Sequence, residues 1–290
     1  MLRQDVAAFQ DWDGIYQFDY HSSADEWDQR RIRGYFELCS HPGKIVFLPA
    51  AAIMFRAGAV SPGRESLTLT VPINRILDEI AQFGVSLKHQ ASEKGLAWTA
   101  LLVHKFALRV IPAGEWKASE KLPEESPVRE ADTGEIVWDV GDPKRTVYLV
   151  NAPAARAAVG FIGGYNVALG DVTVRVEKGN GGWAAVALVA LDGKPIAESK
   201  RMLLSAAARV ENTNMGWNEK RTSVSNQWGT EPTVAEAVVA DIDLPGAATI
   251  QPLDGAGRLT GASRAGAKMG DRCRLHISGD DRTLWYAVTR

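Results

Sequence analysis

The sequence predicts a mainly β protein with an α/β N-terminal part, a β-sandwich preceded by a short strand–helix unit. Three observations carry this. After Glu135, short runs rich in Val, Ile, Tyr and Trp alternate with turn signals: IVWDV, TVYLVN, AAVGFIGG, VTVRVE, WAAVALVAL, RMLLSAAARVE, TVAEAVVADIDL, RCRLHIS and TLWYAVTR, broken by GDPK, LGD, KGNGG, LDGKP and SGDD. Several short strands at such spacing read as a sandwich or barrel. Near the N-terminus, one strand-like run, Ile15 to Tyr20, is followed by one helix-like run, His41 to Gly58. Between them and the β region lies a mixed stretch of strand, helix and polar linker. The expected organisation is therefore a β/α unit over residues 1–65, a connecting segment over 66–134 and a β-sandwich domain over 135–290.

Residues 1–14 read as the end of a helix, Asp5 to Phe9, turning at Asp13-Gly14 into the strand. Ile, Tyr and Phe in IYQFDY suit a pleated, half-buried surface. The loop HSSADEWDQRRIRGY, His21 to Tyr35, is long and highly charged. Pro42 at the start and Gly58 just past the end give the following helix its punctuation. SLTLTVP, from Ser66, reads as a strand. Ile73, Ile76, Leu77 and Ile80 then fall at i, i+3, i+4 and i+7, a helical face. Residues 95–111 are too apolar to assign by period and are expected to be a buried strand or helix. Residues 112–134, rich in Pro, Glu and Lys, read as a solvated linker. Asp192-Gly193 is a hairpin signal between two strands, and the Gly- and Ala-rich residues 254–270 read as a flexible loop.

The totals exclude several function classes. A length of 290 residues allows two domains. A formal charge of −2 offers no basic field for nucleic acid or a lipid surface. The two cysteines, Cys39 and Cys273, lie far apart and form no CxxC pair, so a zinc site is not expected and two reduced thiols are. MLRQDVAAF has no apolar h-region and no stretch approaches a membrane span, so the chain as written is expected in the cytoplasm.

QDWDGIYQFDY (Gln10 to Tyr20) followed by HPGKIVFLPAAAIMFRAG (His41 to Gly58) resembles the last β/α unit of TIM-barrel glycoside hydrolases of the retaining, paired-glutamate kind. ARVENTNMGWN (Ala208 to Asn218), QWGTEP (Gln227 to Pro232) and the terminal TLWYAVTR resemble the β-sandwich domain that follows such barrels. The resemblance spans nearly the whole chain. It implies a carbohydrate-associated protein in which residues 1–65 are a remnant of the barrel. In that family both catalytic glutamates lie on earlier barrel strands, so neither can be assigned to a position here. Retaining hydrolysis needs two carboxyls about 5–5.5 Å apart, and the resemblance therefore implies binding without cleavage.

What the resemblance does carry over is a rim. Asp19, Tyr20 and His21 end the candidate strand, with Asp19 and His21 the candidate catalytic pair or a hydrogen-bonded pair at a strand end. Trp27, in the charged loop, is a sugar platform or a loop anchor. Arg209, Glu211, Asn212, Trp217 and Trp228 form a candidate carbohydrate-binding rim or a structural turn in which Asn bonds local backbone.

The residues themselves show no GxSxG elbow, no HExxH, no EF-hand loop and no phosphate-binding glycine motif. No cofactor is expected beyond a weak calcium site at Asp139 with Asp142 or at Asp280 with Asp281. Three functions compete. They are a carbohydrate-associated protein, a hydrolase of small esters or acyl lactones with an improvised site, and a structural module that pairs as a homodimer through exposed apolar faces.

Overall fold

The computed structural model describes residues 2–21, 28–83, 98–119, 123, 126–179 and 181–290. The chain opens with helices α1 (Leu2–Phe9), α2 (Pro42–Ile45) and α3 (Leu48–Arg56). Strand β1 (Ser66–Pro72), helix α4 (Ile73–Phe83), a 3-10 turn at Trp98–Leu102, and strands β2 (Lys105–Ile111) and β3 (Lys117–Ala118) follow. These three strands form a small sheet in the order β2-β1-β3, with β1 parallel to β2.

The remaining strands build the sandwich. They are β4 (Val128–Glu130), β5 (Ile136–Asp139), β6 (Val147–Ala152), β7 (Ala155–Gly160), β8 (Asn166–Leu169), β9 (Val172–Val176), β10 (Ala184–Ala190) and β11 (Arg201–Ala207). Then come β12 (Val210–Thr213), β13 (Thr230–Ala235), β14 (Ala240–Pro245), β15 (Thr249–Pro252), β16 (Arg264–Ala265), β17 (Ala267–Met269), β18 (Arg272–Ile277) and β19 (Trp285–Thr289). One sheet of nine strands runs β16-β15-β19-β11-β10-β7-β6-β5-β4, and one of five runs β17-β18-β14-β9-β8. Strands β12 and β13 form a separate hairpin-like ladder.

Strand β10 shows why three layers are needed. Its side chains alternate between faces, yet all seven residues are buried. Ala184, Val186, Leu188 and Ala190 face the five-stranded sheet and join the core with Ile242, Leu244, Leu275 and Tyr286. Ala185, Ala187 and Val189 face the other way and pack with Phe9, Phe47, Ala50 and Met54 of the helical layer. Alanines at positions 155, 157, 185, 187 and 207 keep that face shallow, so the helices approach closely.

The helix expected over residues 41–58 forms in two pieces. Pro49 has no N–H to continue the ladder, and the chain resets at Val46 and Phe47. The carbonyl of Val46 accepts hydrogen bonds from Ser205 Oγ (3.2 Å) on β11 and Trp285 Nε1 (2.6 Å) on β19. That carbonyl pins the helical layer to the sheet. Gly58, at φ +63°, then turns the chain out of α3.

The strand expected at Ile15 to Tyr20 does not form. Residues 14–17 carry no regular structure and the segment pairs with no strand among the described residues. An extended run becomes a strand only when a neighbour takes up its backbone groups. The apolar 95–111 region is only partly buried: where described, Ala100 and Leu102 of the 3-10 turn are buried, but β2 is an edge strand with Leu108 and Val110 exposed. The linker expected over 112–134 supplies β3 and β4, and the loop expected over 254–270 supplies β16 and β17. Asp192-Gly193 sits in a connection spanning 191–200, not a two-residue hairpin. There Asp192 accepts from Ser199 Oγ (2.7 Å) and Lys200 N (2.9 Å). Both cysteines are free thiols, and among the described residues no helix is long and apolar enough to cross a membrane.

Asp5 of α1 is completely buried, with the Tyr148 phenol of β6 facing it. Burial pushes its carboxyl up from 3.8 to about 6. A carboxyl raised on folding stabilises the native state below its unfolded pKa and loses that contribution as pH rises through the folded value. Asp5→Asn should therefore gain stability relative to the parent between pH 4 and pH 8, by up to about 3 kcal/mol, measured as the difference between urea unfolding curves at the two pH values. A difference independent of pH would overturn the assignment.

Candidate functional site

The extended segment before His21 presents aromatic side chains to solvent. Tyr16 is 95% exposed and Phe18 82%, and Trp12 and Tyr20 are also exposed. Tyr35, 76% exposed, and Phe36 join them from the far side of the loop. Phe18 and Phe36 meet edge to face at 5.1 Å and 64°, and Tyr35 and Phe36 at 5.0 Å and 86°. Lys44 Nζ lies 5.8 Å from the Tyr35 ring centroid and donates to the Tyr35 carbonyl at 2.6 Å. The result is an aromatic cluster of Phe18, Phe36 and Tyr35, flanked in sequence by exposed Tyr16 and Tyr20, which is more than single exposed apolar residues. Asp19, between Phe18 and Tyr20 in sequence, is half-buried and has no hydrogen bond or ion pair among the described residues.

Beneath this surface is a polar cluster. The Tyr20 carbonyl accepts from Leu38 N (3.3 Å) and Cys39 N (3.0 Å), which brings His21 against residues 37–39. His21 Nδ1 lies 2.9 Å from Glu37 Oε1, 3.1 Å from Cys39 Sγ and 3.1 Å from Arg33 Nη2. Arg33 also grips Glu37 through Nη2 at 2.5 Å and Nε at 3.3 Å, and Ser40 Oγ donates to Glu37 Oε2 at 3.0 Å. The side chains of His21 and Glu37 are 4% and 0% exposed. The Arg33 hydrogen bonds hold the Glu37 carboxyl down at about 2, against the opposing pull of burial. Burial, and then the Glu37 charge, pushes the Cys39 thiol up.

This chemistry favours structure over reaction. A nucleophile–base–acid relay uses both imidazole nitrogens, one toward each partner. Here Glu37, Cys39 and Arg33 all converge on Nδ1. Glu37 stays ionised at any working pH and cannot serve as a general acid, while Cys39 is the reverse of an activated thiolate. His21, Glu37 and Cys39 do place ligand atoms within 4.8 Å of one another, a spacing that a zinc-type ion accepts. The guanidinium of Arg33 sits among the same atoms and supplies the positive charge that a metal would bring, so the donor set does not fit a metal.

Asp19 and His21 are neighbours in sequence but are not joined. The histidine is engaged by Glu37, Cys39 and Arg33. Trp27 lies outside the described residues. Asn212 is buried with both ends of its amide satisfied: Oδ1 accepts from Ile32 N (2.8 Å) and Thr233 Oγ1 (2.7 Å), and Nδ2 donates to the carbonyls of Ile32 (2.7 Å) and Trp228 (2.6 Å). It ties the segment that leads into Arg33 to strands β12 and β13. Glu211 accepts from Trp217 Nε1 and Arg221 Nη2, both at 2.6 Å, and lies 3.5 Å from Arg209 Nε. Arg221 stacks 5.2 Å from the Trp217 ring. The rim residues thus bond one another. The carboxylates of Asp139 and Asp142 cap the backbone of Gly141 and Lys144, and Asp281 caps Ser278 and pairs with Arg264.

The sequence did not single out Tyr16, Phe18, Tyr35, Phe36, Arg33, Glu37 or Cys39. Arg33 and Glu37 lie outside any helix, so their i, i+4 spacing was not by itself a signal for the ion pair they form. Comparison with protein-family models, with curated proteins and with solved structures finds no match to this chain.

A carboxyl lowered on folding contributes stability that is present above its unfolded pKa and lost as pH falls through the folded value. Glu37→Gln should cost roughly 3–5 kcal/mol at pH 7, because it removes the buried carboxylate that Arg33, His21 and Ser40 bond. It should also flatten the loss of stability between pH 4.5 and pH 2, read by thermal unfolding across that range. Asn212→Ala should cost about 2–4 kcal/mol by stranding buried backbone groups, and limited proteolysis should then cut residues 28–33 faster than in the parent.

Proposed function

We propose that this chain is a non-hydrolytic, carbohydrate-binding protein, of the kind its resemblance to the C-terminal part of glycoside hydrolases implies. One observation carries the reading: the exposed aromatic side chains Tyr16, Phe18, Tyr20, Tyr35 and Phe36, with Asp19, which has no hydrogen bond or ion pair among the described residues, in the same segment. Aromatic faces suit the C–H faces of pyranose rings, and a carboxylate accepts sugar hydroxyls without the need for a counter-charge. Rings inclined at 64° and 86° form a corner, which suits a chain end or a bent chain better than a flat crystalline surface. Glu37, held ionised by Arg33, is not available as the acid partner of a glycosidase pair. The same low pKa, with the crowding of His21 Nδ1, gives the ester- or lactone-hydrolase reading no support.

A second reading is favoured by one feature. Phe18 and Phe36 carry no polar group, and a patch this apolar also suits association between two copies of the chain.

The test is affinity electrophoresis through gels holding soluble polysaccharides, with titration of tryptophan emission by oligosaccharides and a turnover screen of aryl glycosides, activated esters and a lactone. Retention and emission change are expected, without turnover. Tyr16→Ala with Tyr35→Ala should weaken binding by about tenfold or more while leaving the fold unchanged. No retention, combined with a dimer by sedimentation that the same double substitution dissociates, would establish the second reading instead.

A further inference from the structure

The two sheets of the sandwich differ in width, and the difference leaves a cleft. The five-stranded sheet ends at β8, whereas the nine-stranded sheet continues past β6 into β5 and β4. Val147 and Leu149 of β6 point toward the inter-sheet core but are only partly buried. Above them, between β6 and β8, is a cavity of ≈ 200 Å³ bounded by Arg145, Phe161, Tyr165 and Asn166. It lies on the sandwich and shares no residue with the aromatic cluster of the N-terminal segment.

The cleft is shaped by backbone. Gly160, at φ +131°, passes so close to Thr146 that a Cβ there would meet the Thr146 carbonyl oxygen at 2.2 Å. Only glycine tolerates both that conformation and that approach. The tight passage is followed by Phe161 N donating to Thr146 O at 3.1 Å and Tyr165 N donating to Ile162 O at 3.2 Å, which set both aromatic residues at the mouth. The Arg145 guanidinium lies 4.3 Å from the Tyr165 ring centroid. It has no carboxylate partner among the described residues.

The chemistry of the walls is specific. The floor is aliphatic, the mouth is aromatic, and one guanidinium is held at the rim by stacking. The volume is below that of a site for drug-sized ligands and suits one ring. We propose that this cleft binds a single-ring compound bearing one carboxylate, such as a uronic acid or a benzoate. The ring's C–H or π face rests on Tyr165 and the Val147–Leu149 floor, and its carboxylate takes the two N–H groups of Arg145. A guanidinium pairs with a carboxylate in this two-pronged geometry, which a lysine would not reproduce.

The experiment is an NMR titration of the full chain with galacturonate, benzoate and neutral galactose, repeated with Arg145→Gln, Arg145→Lys and Tyr165→Ala. Arg145 and Tyr165 are surface residues, and circular dichroism checks that each variant keeps its fold. Galacturonate or benzoate, or both, should bind more tightly than galactose, and the arm that binds identifies the source. Arg145→Gln should weaken carboxylate binding by about tenfold, Arg145→Lys should restore it only in part, and Tyr165→Ala should weaken it in every arm. Equal binding of galactose, Arg145→Gln within twofold of the parent, or no binding in any arm at about 10 mM would each overturn the proposal. The Tyr16→Ala, Tyr35→Ala variant should retain carboxylate binding, so this result and that for the aromatic cluster can fail separately.

Discussion

Strand β10 cannot be left bare on either side. Its run of Ala, Val and Leu puts apolar side chains on both faces of the nine-stranded sheet, and each Val or Leu left in water would cost about 1.5–3 kcal/mol. The five-stranded sheet covers one face. The N-terminal residues cover the other, through Phe9 on α1, Val46 and Phe47 at the α2–α3 break, and Ala50 and Met54 on α3. Hydrogen bonds from Ser205 and Trp285 to the Val46 carbonyl fix that layer in register. Helices α1 and α3, with Val46 and Phe47, are therefore a layer over one face of the sandwich.

That arrangement has a consequence for the aromatic segment. Once α1 and α3 have taken that sheet face, the described residues between them lie mostly exposed or half-buried. They are held by Asn212, by the pairing of residues 30–32 with β13, and by the Arg33–Glu37–His21–Cys39 cluster. Polar side chains that would be candidates for catalysis are consumed in this anchoring. What remains outside among the described residues includes the aromatic side chains Tyr16, Phe18, Tyr20, Tyr35 and Phe36. The site is thus better furnished to bind than to react, and the same logic places the sandwich cleft where the shorter sheet stops.

Much of the fold was legible locally. Turn signals and β-branched runs mark most strands after residue 135 because strand propensity and turn chemistry are properties of short segments. The helical face of Ile73, Ile76 and Leu77 and the Gly58 stop were legible for the same reason. The short strands β8, β15 and β16 were not, since four or fewer residues carry too little pattern to separate them from loops. The split at Val46 was partly hidden too. Pro49 is visible in the sequence, but the groups on β11 and β19 that bond the Val46 carbonyl at the break are more than 150 residues away.

The sequence by itself determined that the protein is mainly β, with alternating faces and a small helical N-terminal part, because periodicity and propensity act over a few residues. The tertiary structure decided what each face met. IYQFDY has the alternation of a strand, yet without a neighbour to accept its backbone groups it stays unpaired and its rings face water. His21 lies beside Asp19 in sequence, yet its partners are Glu37, Cys39 and Arg33, because the loop folds back through the Tyr20 carbonyl. A residue's partners depend on which distant segments the chain's packing brings to it, and that is a property of the whole core and not of the local sequence.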